Sequence, residues 1–281
     1  MAGGVGGASG TGCRRGGGPA AQVRWAGRGG RARSAARRLG DVLLLAIDTA
    51  TPAIVSGVVE LEDAGPPRVL AGEPVFAARS HAELLTPRLR AAATAAGVEF
   101  GEVDALVCGV GPGPFTGLRV GMVTAAALGH ALGRPVHPVG TLDGVAAAVV
   151  SPGPFLVVSD ARRREVYWSA HTSDGARVEG PGVARPDELR EQLAAMPSAT
   201  RPTHLVGNLR PPGDARGEGM AELADQLGLP LLGTAFPTPD GLVAAASAEL
   251  RAGRPPAPLV PRYLRQPDAA EPRSPKRVST P

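Results

Sequence analysis

The stretch Gly109-Val110-Gly111-Pro112-Gly113-Pro114-Phe115-Thr116-Gly117-Leu118-Arg119-Val120-Gly121 constrains the fold of this chain more than any other. An apolar run over 105–110 leads into it, and an Ala/Leu-rich run over 116–132 leaves it. A strand, a glycine turn and a helix start make a place where backbone N–H groups converge on an anion. The same glycines let a helix pack hard against a sheet, because no Cβ intervenes. Both readings stand on these residues, since a Gly-x-Gly turn is weakly specific. A phosphate loop of the Gly-Lys-Ser/Thr kind is excluded, because the only lysine of the chain is Lys276.

On either side of this turn the chain reads as two similar series. The apolar run 42–47 ends in Asp48 and has the look of a strand buried on both faces. Residues 53–60 and 68–78 read as two more strands, joined by the turn Asp63-Ala64-Gly65-Pro66-Pro67. Ser80 and Glu83 have capping-box spacing for a helix over 81–96 that stops at Gly97. Pro87 predicts a kink in it, or a restart at Thr86. After the strand 105–110 and the helix 116–132 come a short strand at 134–139 and a short helix at 142–150. The second series opens with the apolar strand 155–159, ending in Asp160. Residues 165–171 alternate, with Val166, Trp168 and Ala170 on one face and Glu165, Tyr167 and Ser169 on the other. A strand at 176–184, a helix opened by Pro186-Asp187-Glu188, a strand at 204–206 and helices at 221–227 and 241–252 follow. The segment 261–265 closes the body. The repeated order predicts an α/β fold of duplicated actin-like lobes, each a mixed sheet flanked by helices, over 41–150 and 151–265. The Gly/Arg-rich stretch 1–40 and the Pro-rich stretch 266–281 read as disordered.

Composition narrows the function classes. Residues 1–40 hold eight arginines and no acidic residue, so the rest of the chain carries 22 basic against 26 acidic residues. That mildly acidic body has no nucleic-acid footprint, and a tRNA-binding role would fall to the arginines of the first forty residues. Hydrophobic residues make up 43% but aromatic ones only 3%, so Val, Leu and Ala must fill the core. Cys13 and Cys108 support neither a disulfide framework nor a zinc site, and Cys108 reads as a small buried hydrophobe. No apolar run reaches the roughly 18 residues of a membrane span, and no secretory segment is seen, which predicts a cytoplasmic protein.

In ATP-using proteins with duplicated actin-like lobes, the first strand of each lobe feeds a tight glycine turn around phosphates. Here the turn after Asp48 is Thr49-Ala50-Thr51, without glycine, and the turn after Asp160 is Ala161-Arg162-Arg163-Arg164. The late strand offers Val206-Gly207-Asn208, one glycine where an adenosine grip wants a pair. Asp48, Thr49, Gly111, Gly113 and Asp160 therefore read as a vestigial nucleotide site. The two aspartates either hold magnesium through water or end their strands and cap the turns. The five histidines show no close ligand spacing, and no Gly-x-Ser-x-Gly elbow exists. Glu165 reads as a surface partner of Arg162 or Arg164. These residues supply no catalytic constellation.

Together they resemble the bacterial TsaB (YeaZ) family. The opening strand Leu44-Leu45-Ala46-Ile47-Asp48-Thr49-Ala50, the helix segment His81-Ala82-Glu83-Leu84-Leu85-Thr86-Pro87, the glycine stretch 111–121 and Asp160-Ala161-Arg162 with Glu165-Val166-Tyr167-Trp168 carry the likeness, which covers about 42–265. Pro114 stands where the family has serine, leaving Thr116 or bare backbone to cap the following helix. The resemblance implies a non-catalytic subunit that pairs with TsaD, the transferase that places a threonylcarbamoyl group on the adenosine 3′ of the anticodon. The ATPase TsaE docks on that pair. No cofactor is then required by this chain; ATP and magnesium enter at the level of the complex, and tRNA is met through it. The helices 81–96 and 116–132 would form the surface used for a homodimer or for TsaD, with His81, Leu85, Phe115 and Arg119 as interface residues. Their alanines either allow close helix–helix approach across that surface or face their own sheet. The alternative is a nucleotide-binding ATPase or kinase-like enzyme that keeps Asp48, Asp160 and 111–113 as a working cleft.

Overall fold

In the computed structural model, which describes residues 41–77, 80–210, 214 and 219–265, each apolar run that ends in aspartate is the middle strand of a sheet. The predicted disorder of 1–40 and 266–281 lies outside the described residues. The first sheet is built from β1 (Val42–Asp48), β2 (Ala53–Leu61), β3 (Arg68–Ala71), β4 (Val75–Phe76), β5 (Ala105–Gly109) and β6 (Val136–Val139). Its order is β3-β2-β1-β5-β6, with β4 also paired to β2. β1 runs antiparallel to β2 and parallel to β5, and β5 runs parallel to β6. The second sheet holds β7 (Phe155–Asp160), β8 (Val166–His171), β9 (Arg177–Ala184), β10 (His204–Asn208) and β11 (Leu231–Thr234), in the order β11-β10-β7-β8-β9. β7 is antiparallel to β8 and parallel to β10. The two sheets therefore share one mixed topology, and the chain has the duplicated α/β lobes expected of it.

Helices α1 (His81–Ala95) and α2 (Phe115–Leu132) cover one face of the first sheet. Leu85, Leu89, Leu118 and Met122 pack there against Leu45, Ile47 and Leu106. Helices α3 (Thr141–Ala146), α4 (Pro186–Ala195), α5 (Met220–Leu227) and α6 (Pro239–Arg251) complete the layers. α4 and α5 cover one face of the second sheet, through Leu189, Leu193, Leu223 and Leu227. α6 does not stay with the lobe that precedes it in sequence. Its Leu242, Val243, Ala246 and Leu250 pack on Leu44, Ala46, Val55 and Val59 of the first sheet. A boundary at 150 thus assigns to the second lobe a helix that belongs to the core of the first.

Local expectations fail where backbone geometry overrules sequence pattern. The strand over 68–78 is broken into β3 and β4 at Gly72, whose φ is +100. A Cβ at Gly72 would lie 2.3 Å from the Ser56 carbonyl oxygen, so β2 and this bend approach backbone to backbone. The capping box at Ser80 does not form. Ser80 has φ −117 and ψ 22, not the extended conformation of an N-cap, and makes no side-chain cap bond. α1 runs through Pro87 as one helix, with Pro87 exposed. Glu83, one turn back, is exposed as well, so the break in the ladder falls on the outer face of the helix. α2 starts at Phe115 with Pro114 at its N-cap and no side-chain cap, so Thr116 does not serve. α3 begins at Thr141 and ends earlier than the predicted 142–150. β11, Leu231-Leu232-Gly233-Thr234, lies where the sequence pattern predicts no strand, being short and at the sheet edge. The two faces of β8 divide as read, but both are buried: Val166, Trp168 and Ala170 join one core and Tyr167 another.

Candidate functional site

Asp48 ends β1 and is fully buried. Its Oδ1 accepts the Ala50 N–H at 2.7 Å, and its Oδ2 accepts the Thr141 hydroxyl at 2.7 Å. Thr141 Oγ1 in turn accepts the Gly111 N–H at 3.1 Å, tying α3 to the glycine turn. Burial pushes the Asp48 carboxyl up to about 6, against the pull of these two hydrogen bonds. Burial also raises the neighbouring Cys108 thiol, helped by the Asp48 charge. The carboxylate that reads as a vestigial magnesium ligand thus has one oxygen closing its own turn and the other holding Thr141 of α3.

Thr49 locks the next layer. Its hydroxyl donates to the Gly117 carbonyl at 2.7 Å and accepts the Gly121 N–H at 2.8 Å. A Cβ at Gly117 would stand 2.6 Å from the Thr49 carbonyl oxygen, and one at Gly121 2.5 Å from Thr49 Oγ1. A Cβ at Gly113 would stand 2.2 Å from the Ala50 carbonyl oxygen. The space beside Gly113, Gly117 and Gly121 is therefore filled by the turn after Asp48, while Gly111 faces Leu118 with a φ of 88. Of the two readings of that stretch, close packing of a helix on a sheet is the one realised. The room that a phosphate would need between turn and helix is occupied by Thr49 and Ala50.

The second turn is built differently. Asp160 Oδ1 accepts the Arg162 N–H at 2.8 Å, and Asp160 Oδ2 lies 3.2 Å from the Arg162 guanidinium. Arg162, Arg163 and Arg164 all have left-handed backbones, with φ of 64, 53 and 62. Such a conformation costs a non-glycine residue roughly 1–2 kcal/mol. Glu165 pairs with Arg265 at 3.3 Å, not with Arg162 or Arg164, and Arg265 also donates to the Ala161 carbonyl at 2.5 Å. Gly207 approaches β7 so closely that a Cβ would lie 2.0 Å from the Val158 carbonyl oxygen. Beside it Asn208, 1% exposed, donates from Nδ2 to the Ala235 carbonyl at 2.8 Å, while its Oδ1 is buried and has no partner among the described residues.

Between the two turns a cleft of about 340 Å³ remains, floored by Ala50 and Gly117 and rimmed by His81, Thr116, Asp160 and Arg162. The residues predicted for a partner surface lie around it in different states. His81 is half-buried, with Nε2 3.0 Å from the Thr51 carbonyl. Leu85 is 1% exposed and sits in the core of the first lobe, so it is not available to a partner. Phe115 stacks on Tyr263 with ring centroids 4.3 Å apart. Arg119 is exposed, lies over both rings and donates from Nε to the Tyr263 hydroxyl at 2.7 Å. The alanines divide: Ala92, Ala93, Ala125 and Gly129 are buried, while Ala91, Ala95, Ala126 and Ala127 are exposed. Val123, 67% exposed, continues the outer stripe of α2 from Arg119. Thr141 and Tyr263 escape sequence reasoning, since each acts on a segment distant in the chain, and Asn208, read as part of an adenosine grip, is instead buried and bonded to Ala235. For Tyr263 the one available signal is an aromatic in the ordered-looking block 261–265 behind a proline-rich stretch.

Among the described residues, no group of three His, Cys, Asp or Glu gathers as a metal site, and no helix is long and apolar enough to cross a membrane.

Comparison with known proteins places this geometry. Residues 73–203 match the family model described as TsaD: tRNA N6-adenosine threonylcarbamoyltransferase. An uncharacterised protein of Mycobacterium tuberculosis is 44% identical over 227 residues, covering 80% of this chain and 93% of that one. YeaZ from Pseudomonas aeruginosa superposes with a TM-score of 0.60 at 25% identity, over 79% of this chain and all of that one. A tRNA N6-adenosine threonylcarbamoyltransferase of Erythrobacter litoralis is 41% identical over 71 residues, 25% of this chain but only 21% of that enzyme.

Proposed function

We propose that this chain, which belongs to the TsaB (YeaZ) family, is a non-catalytic subunit that binds a TsaD-type tRNA threonylcarbamoyltransferase and supports its action on tRNA. The observation that carries the reading is the filled first turn. With Thr49 and Ala50 seated against Gly113, Gly117 and Gly121, the fold keeps the lobes of a nucleotide-using protein without its phosphate pocket. Asp48 closes a turn and holds Thr141, so its carboxylate is committed to the fold. The partial matches to enzymes named for threonylcarbamoyl transfer to tRNA suggest the partner, a relative with the same lobes. A TsaE-type ATPase would join the pair, with ATP and magnesium bound by the complex and tRNA met through it.

The contact surface we assign is the outer stripe of α2, from Phe115 and Arg119 through Val123 to Ala126 and Ala127, with the first turn of α1 at His81. Small exposed residues there let another helix approach closely, and the same stripe serves a homodimer when the partner is absent. Arg119→Glu and Val123→Glu test it. Both sites are exposed, and Val123 makes no hydrogen bond or ring contact that folding would miss. Each should weaken capture of the TsaD homologue of the same organism by at least about tenfold, as for rim and anchor changes of about 1.4 kcal/mol or more; Val123→Glu should hold the melting temperature, while Arg119→Glu should lower stability by about 1 kcal/mol through the lost bond to Tyr263. Undiminished capture by both variants would sink the placement. Calorimetry with ATP and magnesium on the isolated chain addresses the rival reading. Saturable ATP binding, lost in Asp160→Ala, would make this a nucleotide-using enzyme instead.

A further inference from the structure

We propose that the turn between β7 and β8, Arg162-Arg163-Arg164, is a contact for the phosphate backbone of RNA, so that this chain touches tRNA itself and not only through its partner. The proposal deepens the subunit reading, from which it takes tRNA as the RNA. The backbone marks the turn first. Among the described residues every other positive φ belongs to a glycine, while these three arginines take φ of 64, 53 and 62. A left-handed backbone costs stability wherever a Cβ is present, and glycine or asparagine would remove most of that cost. The chain has 39 glycines and places them at left-handed turns elsewhere, Gly65, Gly133 and Gly228 among them. At this turn it carries a long cation three times in succession instead. An outlier of this kind points to a use for the side chains.

The turn is built to present charge. Asp160 and Val166 are the last paired residues of the hairpin. Beyond them the Ala161 N–H donates to the Glu165 carbonyl at 3.0 Å, and the Glu165 N–H donates to the Arg162 carbonyl at 2.9 Å. Ala161 is buried, while Arg162, Arg163 and Arg164 are exposed. The two acids at the base of the turn are already engaged, Asp160 by Arg162 and Glu165 by Arg265. Arg164 is left with no side-chain partner among the described residues. A sum over the body hides this patch, because the residues after 40 carry 22 basic against 26 acidic side chains. The partner class follows from what the turn lacks. No exposed apolar side chain stands on it, so it offers neither the anchor of a protein interface nor the wedge that holds a membrane surface. Exposed guanidinium forks match phosphate oxygens, and a phosphate backbone is charged at every unit and stays hydrated.

The experiment is fluorescence anisotropy of the full chain with a labelled, unmodified tRNA transcript, over a salt series from about 50 to about 300 mM. Arg163→Asn with Arg164→Asn removes two cations, and asparagine tolerates the left-handed backbone. Arg162 stays, because it closes on Asp160. At about 50 mM salt this double variant should raise the half-saturating concentration at least about tenfold. It should also reduce the slope of log affinity on log salt by about 1.5, the value for two lost phosphate contacts. Arg163→Lys with Arg164→Lys keeps the charge and should stay within about threefold of the wild type. Arg90→Gln with Arg254→Gln takes the same charge from two exposed sites elsewhere and should also stay within about threefold, since distant charges are screened. The eight arginines of residues 1–40 are present throughout, so differences between variants belong to the sites changed. Capture of the TsaD homologue by the asparagine variant should be unchanged, so this proposal and the subunit reading fail separately. Absence of salt-sensitive binding by the wild type would overturn it. So would an asparagine variant with wild-type affinity and slope, or a lysine variant or control pair that loses as much as the asparagine variant. Loss of capture in place of RNA binding would make the turn a protein contact and overturn it as well.

Discussion

Asp48 is held under opposing demands. Removing its carboxylate from water raises its pKa from 3.8 to about 6, so the charged form is the less stable one in the fold. Between those two values the folded chain holds a proton that the unfolded chain has released. This group therefore favours folding below about pH 4, and that contribution is lost as pH rises through 6. The span corresponds to about 3 kcal/mol at 1.36 kcal/mol per unit. His137 and His171, which burial holds below the usual imidazole range, act in the other direction, costing stability as pH falls. The difference between wild type and Asp48→Asn isolates the carboxyl, because asparagine keeps an acceptor for the Ala50 N–H. Urea melts across pH 4 to 7 should show the variant gaining on the wild type as pH rises; parallel curves would mean that Asp48 titrates normally. Gly113 makes a sharper steric case. Gly113→Ala drives a methyl onto the Ala50 carbonyl, a backbone atom that cannot swing away, and should destabilise by roughly 1–3 kcal/mol. Gly101→Ala is the control: no atom lies within 4 Å of its Cβ and its φ is not left-handed, so its effect should stay within about 0.5 kcal/mol.

At the scale of elements, the segment 259–265 joins the two lobes. Leu259 packs on the core of the first lobe and Leu264 on that of the second. Between them the Arg262 N–H donates to the Val110 carbonyl at 2.8 Å, and Tyr263 lies on Phe115. Arg265 then reaches the turn after Asp160. The arm thus orders Phe115 and Arg119 on the proposed partner surface, and Tyr263, 37% exposed, belongs to that surface itself. Tyr263→Ala removes a ring stack and a hydrogen bond, each worth about 1 kcal/mol, and should cost about 1–2 kcal/mol in total given its exposure. Faster hydrogen exchange at the Arg262 amide should accompany the loss. An unchanged amide there would show that the arm is held without Tyr263, by Leu259, Leu264 and the ion pairs of Arg262 and Arg265.

The whole molecule shows where sequence reading succeeds and where it stops. Both apolar strands ending in Asp, the long helix after the glycine turn and the repeated lobe order are legible, because each rests on local periodicity. The meaning of the glycines is not, because it depends on Thr49, 72 residues from Gly121. Nor is the role of Tyr263, 144 residues from Arg119. The largest such effect is α6, which reads correctly as a helix but closes the first lobe and not the second. Without it Leu44, Ala46, Val55 and Val59, all fully buried in the chain, would face water on one side of the first sheet. Leu242, Val243 and Leu250 bring about 1.5–3 kcal/mol each on full burial, comparable in sum to the net stability of a domain. A fragment of residues 41–150 should therefore fail to fold or should aggregate, although it contains every strand of the first sheet. Supplying 236–265 as a separate peptide should recover ordered material, seen as dispersed amide resonances. The same peptide with Leu242→Asp and Leu250→Asp should not. If 41–150 alone gives a cooperative melt, the first lobe is complete without α6, and the helix merely ties the second lobe to a core already formed.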